Sequence, residues 1–348
     1  MSTIAGVFSE TTLNDIRVIA DRIMFDDRIK QQYIPHLDIF KAIQAVQTAQ
    51  LTPIFRRETG LEGGTSVVKE YDVEVMWRNV CSQSCEENTH CTLGGDKSST
   101  NKQSYSLSWE RVVNFTEDEV DYRDNEFDLK VSIAKQLLMA DKTLLECFAE
   151  YIVSQLNTFK GTNQLGTSGK GVVSGTDTYI DPAYWDGTLV AYFLRVAAMN
   201  QFTSPVFLSG QNLYEQFILA AYNAANANGK GEANMYKDLR FFFDLWNIDS
   251  VNDPDLITYM LSLGSVAMAT KFYNPTTLQR TWDFWRYTMP SRWIPGVTYD
   301  VFMNDECSST NDLIKFNYKV KMKGDLFLNP EGCTADNTGV LTFICGTV

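Results

Sequence analysis

The sequence predicts an α+β fold, and three observations carry that prediction. Two alternating stretches flank a polar, cysteine-bearing segment within residues 65–115. An apolar stripe then runs from Asp128 to Leu156 without a glycine or proline. The chain closes on further alternating stretches, the cleanest at 312–324. Strands, then a long helix, then strands again differ from the regular alternation of βαβ units.

Composition sets the bounds. With 348 residues, 44% of them hydrophobic, the chain buries a substantial core and is ordered. A formal net charge of −13 argues against wrapping nucleic acid over a broad basic face. No window holds about 18 uninterrupted apolar residues, so no membrane span is expected. The best stretch, LITYMLSLGSVAMA at 256–269, is too short and reads as a buried helix. The N-terminus lacks the basic-plus-apolar pattern of a secretion signal. Seven cysteines, an odd number, then suggest a reducing site of synthesis. Only two histidines, His36 and His90, are present, which excludes a histidine-rich metal centre within one chain.

Residues 1–62 are expected to be helical or irregular. Leu13, Ile16, Ile19, Ala20 and Ile23 fall at helical spacing, and Ile39, Phe40, Ile43 and Val46 repeat the pattern. Gly60, Gly63 and Gly64 end it. From Thr65 the period changes to two. Tyr71, Val73, Val75 and Trp77 share one face, and Asp72, Glu74, Met76 and Arg78 the other. Alternation resumes at 104–115, with Tyr105, Leu107 and Trp109 on one side. These arms predict an antiparallel hairpin. Arms of about fifteen residues reach roughly 50 Å at about 3.3 Å per residue. Such arms are not expected to bury themselves on one molecule. Tyr71, Val73, Val75, Trp77, Tyr105, Leu107 and Trp109 are therefore the expected intersubunit contacts. The tip, 81–103, is too long and polar for a tight turn.

In the following helix Leu129, Ile133, Leu137, Leu144, Phe148 and Ile152 form the stripe, widened by Leu138, Leu145 and Leu156. Asp128 is its expected N-cap, and its length is roughly 40 Å. Cys147, beside the stripe, reads as a buried inert thiol. The glycine-rich stretch at 166–175 lacks phosphate-loop spacing and reads as a loop. Residues 182–199 resume helical periodicity. Pro205–Leu208 reads as a buried strand, about 212–225 as a helix, and 239–249 as strand-compatible. The aromatic residues of 241–293 are accompanied by few arginines, so they read as core and interface, not a nucleic-acid platform.

Residues 299–305, 325–329 and 339–346 are further expected strands. In 312–324, Ile314, Phe316, Tyr318, Val320 and Met322 face one way. Lys315, Asn317, Lys319, Lys321 and Lys323 face the other. A lysine face serves as edge protection, as an intersubunit contact with acidic neighbours, or as a nucleic-acid-facing surface. All three stay open here.

Cys81, Cys85, His90 and Cys91 form C-x3-C-x4-H-C, a set of soft ligands suited to structural zinc. The paired C-x2-C knuckles are missing, so zinc, a redox clamp and free thiols all stay open. No other cofactor is expected. The acidic cluster from Glu117 to Glu126 matches no calcium loop. It suits the N-terminus of the long helix instead. Serine-hydrolase, zinc-protease, kinase and phosphate-loop signatures are all lacking. No catalytic residue is assigned and the chain is not read as an enzyme.

The arms at 65–115, the run DLKVSIAKQLLMADKTLLECFAEYIVSQL at 128–156 and the closing LIKFNYKVKMKGDLF come in a distinctive order. That order resembles the major capsid proteins of tailed bacteriophages, the HK97-like fold, which encapsulin shell proteins share. The resemblance covers roughly 60–345. It implies an N-terminal arm or helical region at 1–62 and an extended β-hairpin, the E-loop, at 63–116. A peripheral domain with the spine helix follows at 117–179, then an axial domain at 180–297. Strands at 298–348 return to the peripheral domain. The resemblance further implies self-assembly into hexamers and pentamers of an icosahedral shell enclosing double-stranded DNA without sequence specificity. Portal, scaffold or decoration proteins are the other implied partners, with no membrane. The implied location is the virion, after synthesis in the host bacterial cytoplasm. Some members of the family cross-link E-loop lysines, and the tip here holds Lys97 and Lys102. Two alternatives remain: an encapsulin-like or other virion structural protein, and an α/β ligand-binding protein or enzyme with a pocket in 205–245.

Overall fold

The computed structural model describes residues 10–25, 32, 34–48, 50–57, 68–78, 100–118, 126–164, 169–185, 189–202, 204–211, 213–215, 240–248, 257–270, 279–280, 284–307, 314–330 and 338–348. The principal helices are α1 (Glu10–Phe25), α2 (Asp38–Val46), α3 (Glu126–Thr158) and α4 (Leu189–Met199). The first strands are β1 (Gln50–Arg57), β2 (Val68–Arg78), β3 (Thr100–Ser106) and β4 (Trp109–Asp118). After α3 come β5 (Gly171–Ser174), β6 (Asp177–Ile180), β7 (Val206–Ser209), β8 (Arg240–Phe243), β9 (Ile257–Leu261) and β10 (Val266–Thr270). The chain ends with β11 (Gln279–Arg280), β12 (Trp285–Pro290), β13 (Thr298–Cys307), β14 (Ile314–Leu328) and β15 (Val340–Cys345). Among the described residues, no helix is long and apolar enough to cross a membrane.

Two compact units are each assembled from distant segments. One comprises Met1–Pro35, Leu107–Phe148 and Thr270–Asp325; the other comprises His36–Ser106, Ala149–Ala269 and Leu326–Val348.

The first unit is a helix-on-sheet layer. Its strands run in the order β4, β14, β13, β12, β11, all antiparallel. Tyr287, Met289, Tyr299, Val301, Met303, Phe316, Tyr318, Val320 and Met322 are buried. The period-two pattern places them on one face. The facing helices bury Ile16, Ala20 and Ile23 from α1, and Leu129, Ile133, Leu137, Leu144 and Phe148 from α3. Polar bonds lock this layer. Arg17 donates to the Tyr287 hydroxyl (2.8 Å) and Ser132 to the Glu117 carboxylate (2.8 Å). Lys130 pairs with Asp15 at 3.1 Å and Arg292 with Asp21 at 2.7 Å.

The second unit has two sheets. One is β1–β2–β3; the other is mixed, in the order β5, β6, β15, β9, β7, β8. Its core packs α4 residues Leu189, Phe193 and Val196 with Phe207, Met260, Leu341 and Phe343. The Phe193 ring lies 5.2 Å from Phe207 and 4.8 Å from Phe343, within the range of favourable aromatic pairs.

Several expectations are corrected. Residues 257–270 form β9 and β10, not a helix, with every residue of both strands buried. A strand buried on both faces shows no alternation and cannot be told from a helix by period. Gly264 turns between them at φ +80°, where a side chain is disfavoured. β1 was missed because Pro53 demotes a strand; β1 is an edge strand, where a proline is tolerated. Helix α3 starts at Glu126, so Asp128 lies inside its first turn and is not the N-cap. Its 33 residues span about 50 Å. Residues 182–184 form a separate 3-10 turn, where Asp181 accepts from the Ala183 N–H at 2.8 Å. The stretch 325–329 is no separate strand, because β14 runs on to Leu328. β15 does not return to the first unit's sheet; it pairs with β6 and β9. Cys147 is half-buried, not fully buried.

Asp141 of α3 is 1% exposed. Its Oδ2 accepts from Ser291 Oγ (3.1 Å) and the Arg292 N–H (3.0 Å). Burial pushes the carboxyl from 3.8 up to about 6, and these bonds pull it only partly back. The folded state therefore binds this proton more tightly than the unfolded chain. The group's stabilising contribution is fully present below about pH 3.8 and is lost as pH rises through about 6. At about 1.4 kcal/mol per pH unit, the effect is about 3 kcal/mol. Asp141→Asn is expected to remove this pH dependence, read by urea unfolding of both proteins at several values across that interval. An unaltered pH profile would contradict the assignment.

Candidate assembly surfaces

The paired arms come first. β2 lies between β1 and β3, and Val73 faces Tyr105 in antiparallel register. Trp77 Nε1 donates to the Tyr105 hydroxyl (3.1 Å), which donates to Gln103 Oε1 (2.6 Å). The Tyr105 ring stacks on Phe327 at 4.4 Å, and burial pushes its phenol pKa up.

This geometry corrects the expected contact set. Val73, Val75 and Trp77 are buried within a single chain, as are Leu107 and Trp109. Trp109 packs on Phe148 at 4.7 Å in the first unit. Tyr105 is half-buried among Trp77 and Phe327. The side chain of Tyr71 lies outside the described residues. Apolar arm faces were expected to wait for a neighbour, but they are already buried within the single chain. Among the described side chains of β2 and β3, Met76, Lys102, Ser104 and Ser106 are exposed and Glu74 is half-buried. Glu74 and Lys102 form an ion pair, and Met76 is exposed.

The second arm also divides. Ser108 donates to Asp325 Oδ2 through its N–H (3.0 Å) and its hydroxyl (2.7 Å). At that point the chain leaves β3, paired with β2, and enters β4, paired with β14.

The lysine face comes second. β14 is flanked by β4 and β13, so its lysines do not protect a sheet edge. Lys315 pairs with Asp118 at 3.7 Å; Lys321 and Lys323 pair with Glu110 at 2.8 and 3.8 Å. Lys321 first, with Lys323 and Lys319, holds the Glu110 carboxyl below its ordinary value. Arg286 on the same face pairs with Asp300 at 3.0 Å. A surface so neutralised within its own chain is not a basic track for nucleic acid.

A concavity of about 530 Å³ opens on this sheet, lined by Asn114, Phe284, Phe302, Asn304 and Lys319 among others. Sequence reasoning missed it, because cross-strand register decides which residues meet. Its only sequence signal was the alternation of β13, β14 and β4. The expected metal set of Cys81, Cys85, His90 and Cys91 lies outside the described residues. Among the described residues, no group of three or more metal-ligating side chains occurs. In the 205–245 region, Val206–Ser209 is fully buried and the Ser209 hydroxyl bonds Thr258 at 2.7 Å.

No family model matches the chain, and no curated protein matches it. Among solved structures it is similar to a chain of the cyanophage A-1(L) capsid asymmetric unit, with 12% identity, 88% of this chain and 92% of that chain covered, and a TM-score of 0.38. It is similar to the capsid of a native GTA particle at 9% identity, covering 84% and 95%, with a TM-score of 0.39. It is also similar to a chain of Mycobacterium phage Che8 at 12% identity, covering 84% and 96%, again with a TM-score of 0.39. TM-scores this low add no weight to a functional reading, which stands on the chain's own surfaces.

The corrected arm makes a prediction. Trp77→Ala is expected to destabilise the unassembled chain by about 3–5 kcal/mol, whereas Lys102→Ala, at an exposed ion pair, costs under about 1 kcal/mol. Chemical denaturation of the two variants measures this. Equal stabilities would show that Trp77 is not a core residue of the single chain.

Proposed function

We propose that the chain is a structural major capsid protein of the HK97-like kind, which self-assembles into hexamers and pentamers of an icosahedral shell. The observation that supports the reading most is the chain order of its elements. A paired β-arm (β2–β3) precedes a 33-residue helix. A mixed-sheet unit follows, and β14, paired with β13, then returns to pair with β4 beside the helix start. On this reading β2–β3 is the E-loop and α3 the spine helix. The first unit is the peripheral domain, and the sheet around β9 and β15 is the axial domain. No catalytic role is assigned.

The shell would enclose double-stranded DNA without reading its sequence. A net charge of −13 and a sheet face whose lysines are mostly paired suit a container that does not grip its contents. Portal, scaffold and decoration proteins are the further partners of this reading. Its location is the virion, after synthesis in a bacterial cytoplasm. Contact between copies falls to the outward residues of the arm and to the tip, expected at 81–103, of which 81–99 lie outside the described residues and 100–103 belong to β3.

Negative-stain imaging of the purified, expressed chain tests the proposal. Closed shells of uniform size are expected. A chain that stays monomeric at high concentration overturns it and favours a ligand-binding protein. Because β3 begins at Thr100, deleting 81–99 is expected to abolish or sharply reduce particles while leaving the melting temperature of the unassembled chain within a few degrees. Normal particles from that variant would remove the tip from assembly.

A further inference from the structure

We propose that the concavity on the first unit's sheet is a binding site for neutral oligosaccharides, contacted by Phe284, Phe302, Asn114, Asn304 and Lys319. Its volume, about 530 Å³, falls in the range of small-ligand sites.

Charge narrows the ligand class. Of the basic side chains on this face, Lys315, Lys321, Lys323 and Arg286 are paired with Asp118, Glu110 and Asp300. Lys319 alone makes no ion pair among the described residues. A polyanion or an acidic peptide would find a nearly neutral face, its basic side chains almost matched by carboxylates, since Glu306 shares the face through its register with Lys315. That balance disfavours both ligands.

Hydrogen-bonding capacity narrows it further. Asn317 is already committed, accepting from the Thr116 hydroxyl (2.9 Å) and donating to Glu306 (3.2 Å). The side-chain amides of Asn114 and Asn304 bond no described residue. Register sets Asn114 opposite Lys319 and Asn304 opposite Asn317, so the three groups ring one spot. An amide offers both donor and acceptor, as a sugar hydroxyl requires; a phosphate or carboxylate would use only the donor half. The walls are aromatic. Phe284, 37% exposed, meets Phe302 edge-on at 5.4 Å, and Arg286 lies over the Phe302 ring at 5.7 Å. An exposed phenyl wall beside free amides matches the C–H faces and hydroxyl rims of a pyranose.

The site does not depend on the capsid reading. It is tested on the unassembled chain, so failure of either proposal leaves the other standing. The purified full chain is titrated with maltotriose, cellotriose and triacetylchitotriose by ligand-observed NMR and calorimetry, with hexaglutamate as the rival. At least one sugar is expected to bind saturably in the millimolar range or below. Phe284→Ala and Asn304→Ala are each expected to weaken it about fivefold or more, with unchanged melting curves, while Lys315→Ala leaves it unchanged. Three outcomes overturn the proposal: no saturable binding by any of the sugars, equal affinity in both well-folded site variants, or tighter binding of hexaglutamate.

Discussion

The register of β14 is the constraint on which the first unit depends. Pairing runs unbroken from Lys315 opposite Asp118 to Gly324 opposite Trp109. It places Phe316, Tyr318, Val320 and Met322 under the helices and the lysines on the other face. A slip of one residue would exchange the two faces. The buried layer would then receive Lys315, Lys319, Lys321 and Lys323, each at several kcal/mol unless paired. Glu110 and Asp118 support this register through their ion pairs with Lys321, Lys323 and Lys315. The same choice aligns Asn114, Asn304 and Lys319 around one concavity.

Apolar layers alone do not fix how a helix sits along a sheet, and buried carboxylates supply that precision. Asp141 accepts from the turn that joins β12 to β13. Asp325 accepts twice from Ser108 where the second arm changes sheets. Asp300 accepts from the Thr288 hydroxyl at 2.6 Å and pairs with Arg286. Each of these groups has lost water, so each constrains a neighbour to stay in place. At Asp141 desolvation outweighs the bonds, which is why its carboxyl rises towards neutrality.

The elements legible in the sequence were those with a clean period. The stripe from Leu129 to Leu156 announced α3, and the alternation from Ile314 to Met322 announced the centre of β14. The order arm, helix, returning strand was readable without any contact information. What failed had a physical reason in each case. β9 and β10 have no polar face, so period could not separate strand from helix. Pro53 disguised β1. The partner of Val73, Val75 and Trp77 could not be inferred, because burial is decided by residues far along the chain. Phe327, more than two hundred residues from Tyr105, is an example. The concavity depends on three strands meeting in one register, and a single sequence does not carry that information.

On the proposed capsid reading, the burial of the arm faces changes what contacts between copies would use. Had Trp77 and its neighbours been exposed, hydrophobic burial between copies could have driven association on its own. They are instead core residues of one chain, so on that reading each copy would carry a folded arm before meeting another. The outward arm surface is an ion pair, an exposed methionine and small polar groups. Such surfaces give weak single contacts, each of the order of 1 kcal/mol or less. A closed lattice made from them gains its stability from repetition, because every copy is held by several neighbours at once. In a shell of the proposed kind, weak individual contacts would also let a misplaced copy leave before closure. An arm folded onto its own chain and polar outward therefore suits the proposed role of one tile among many.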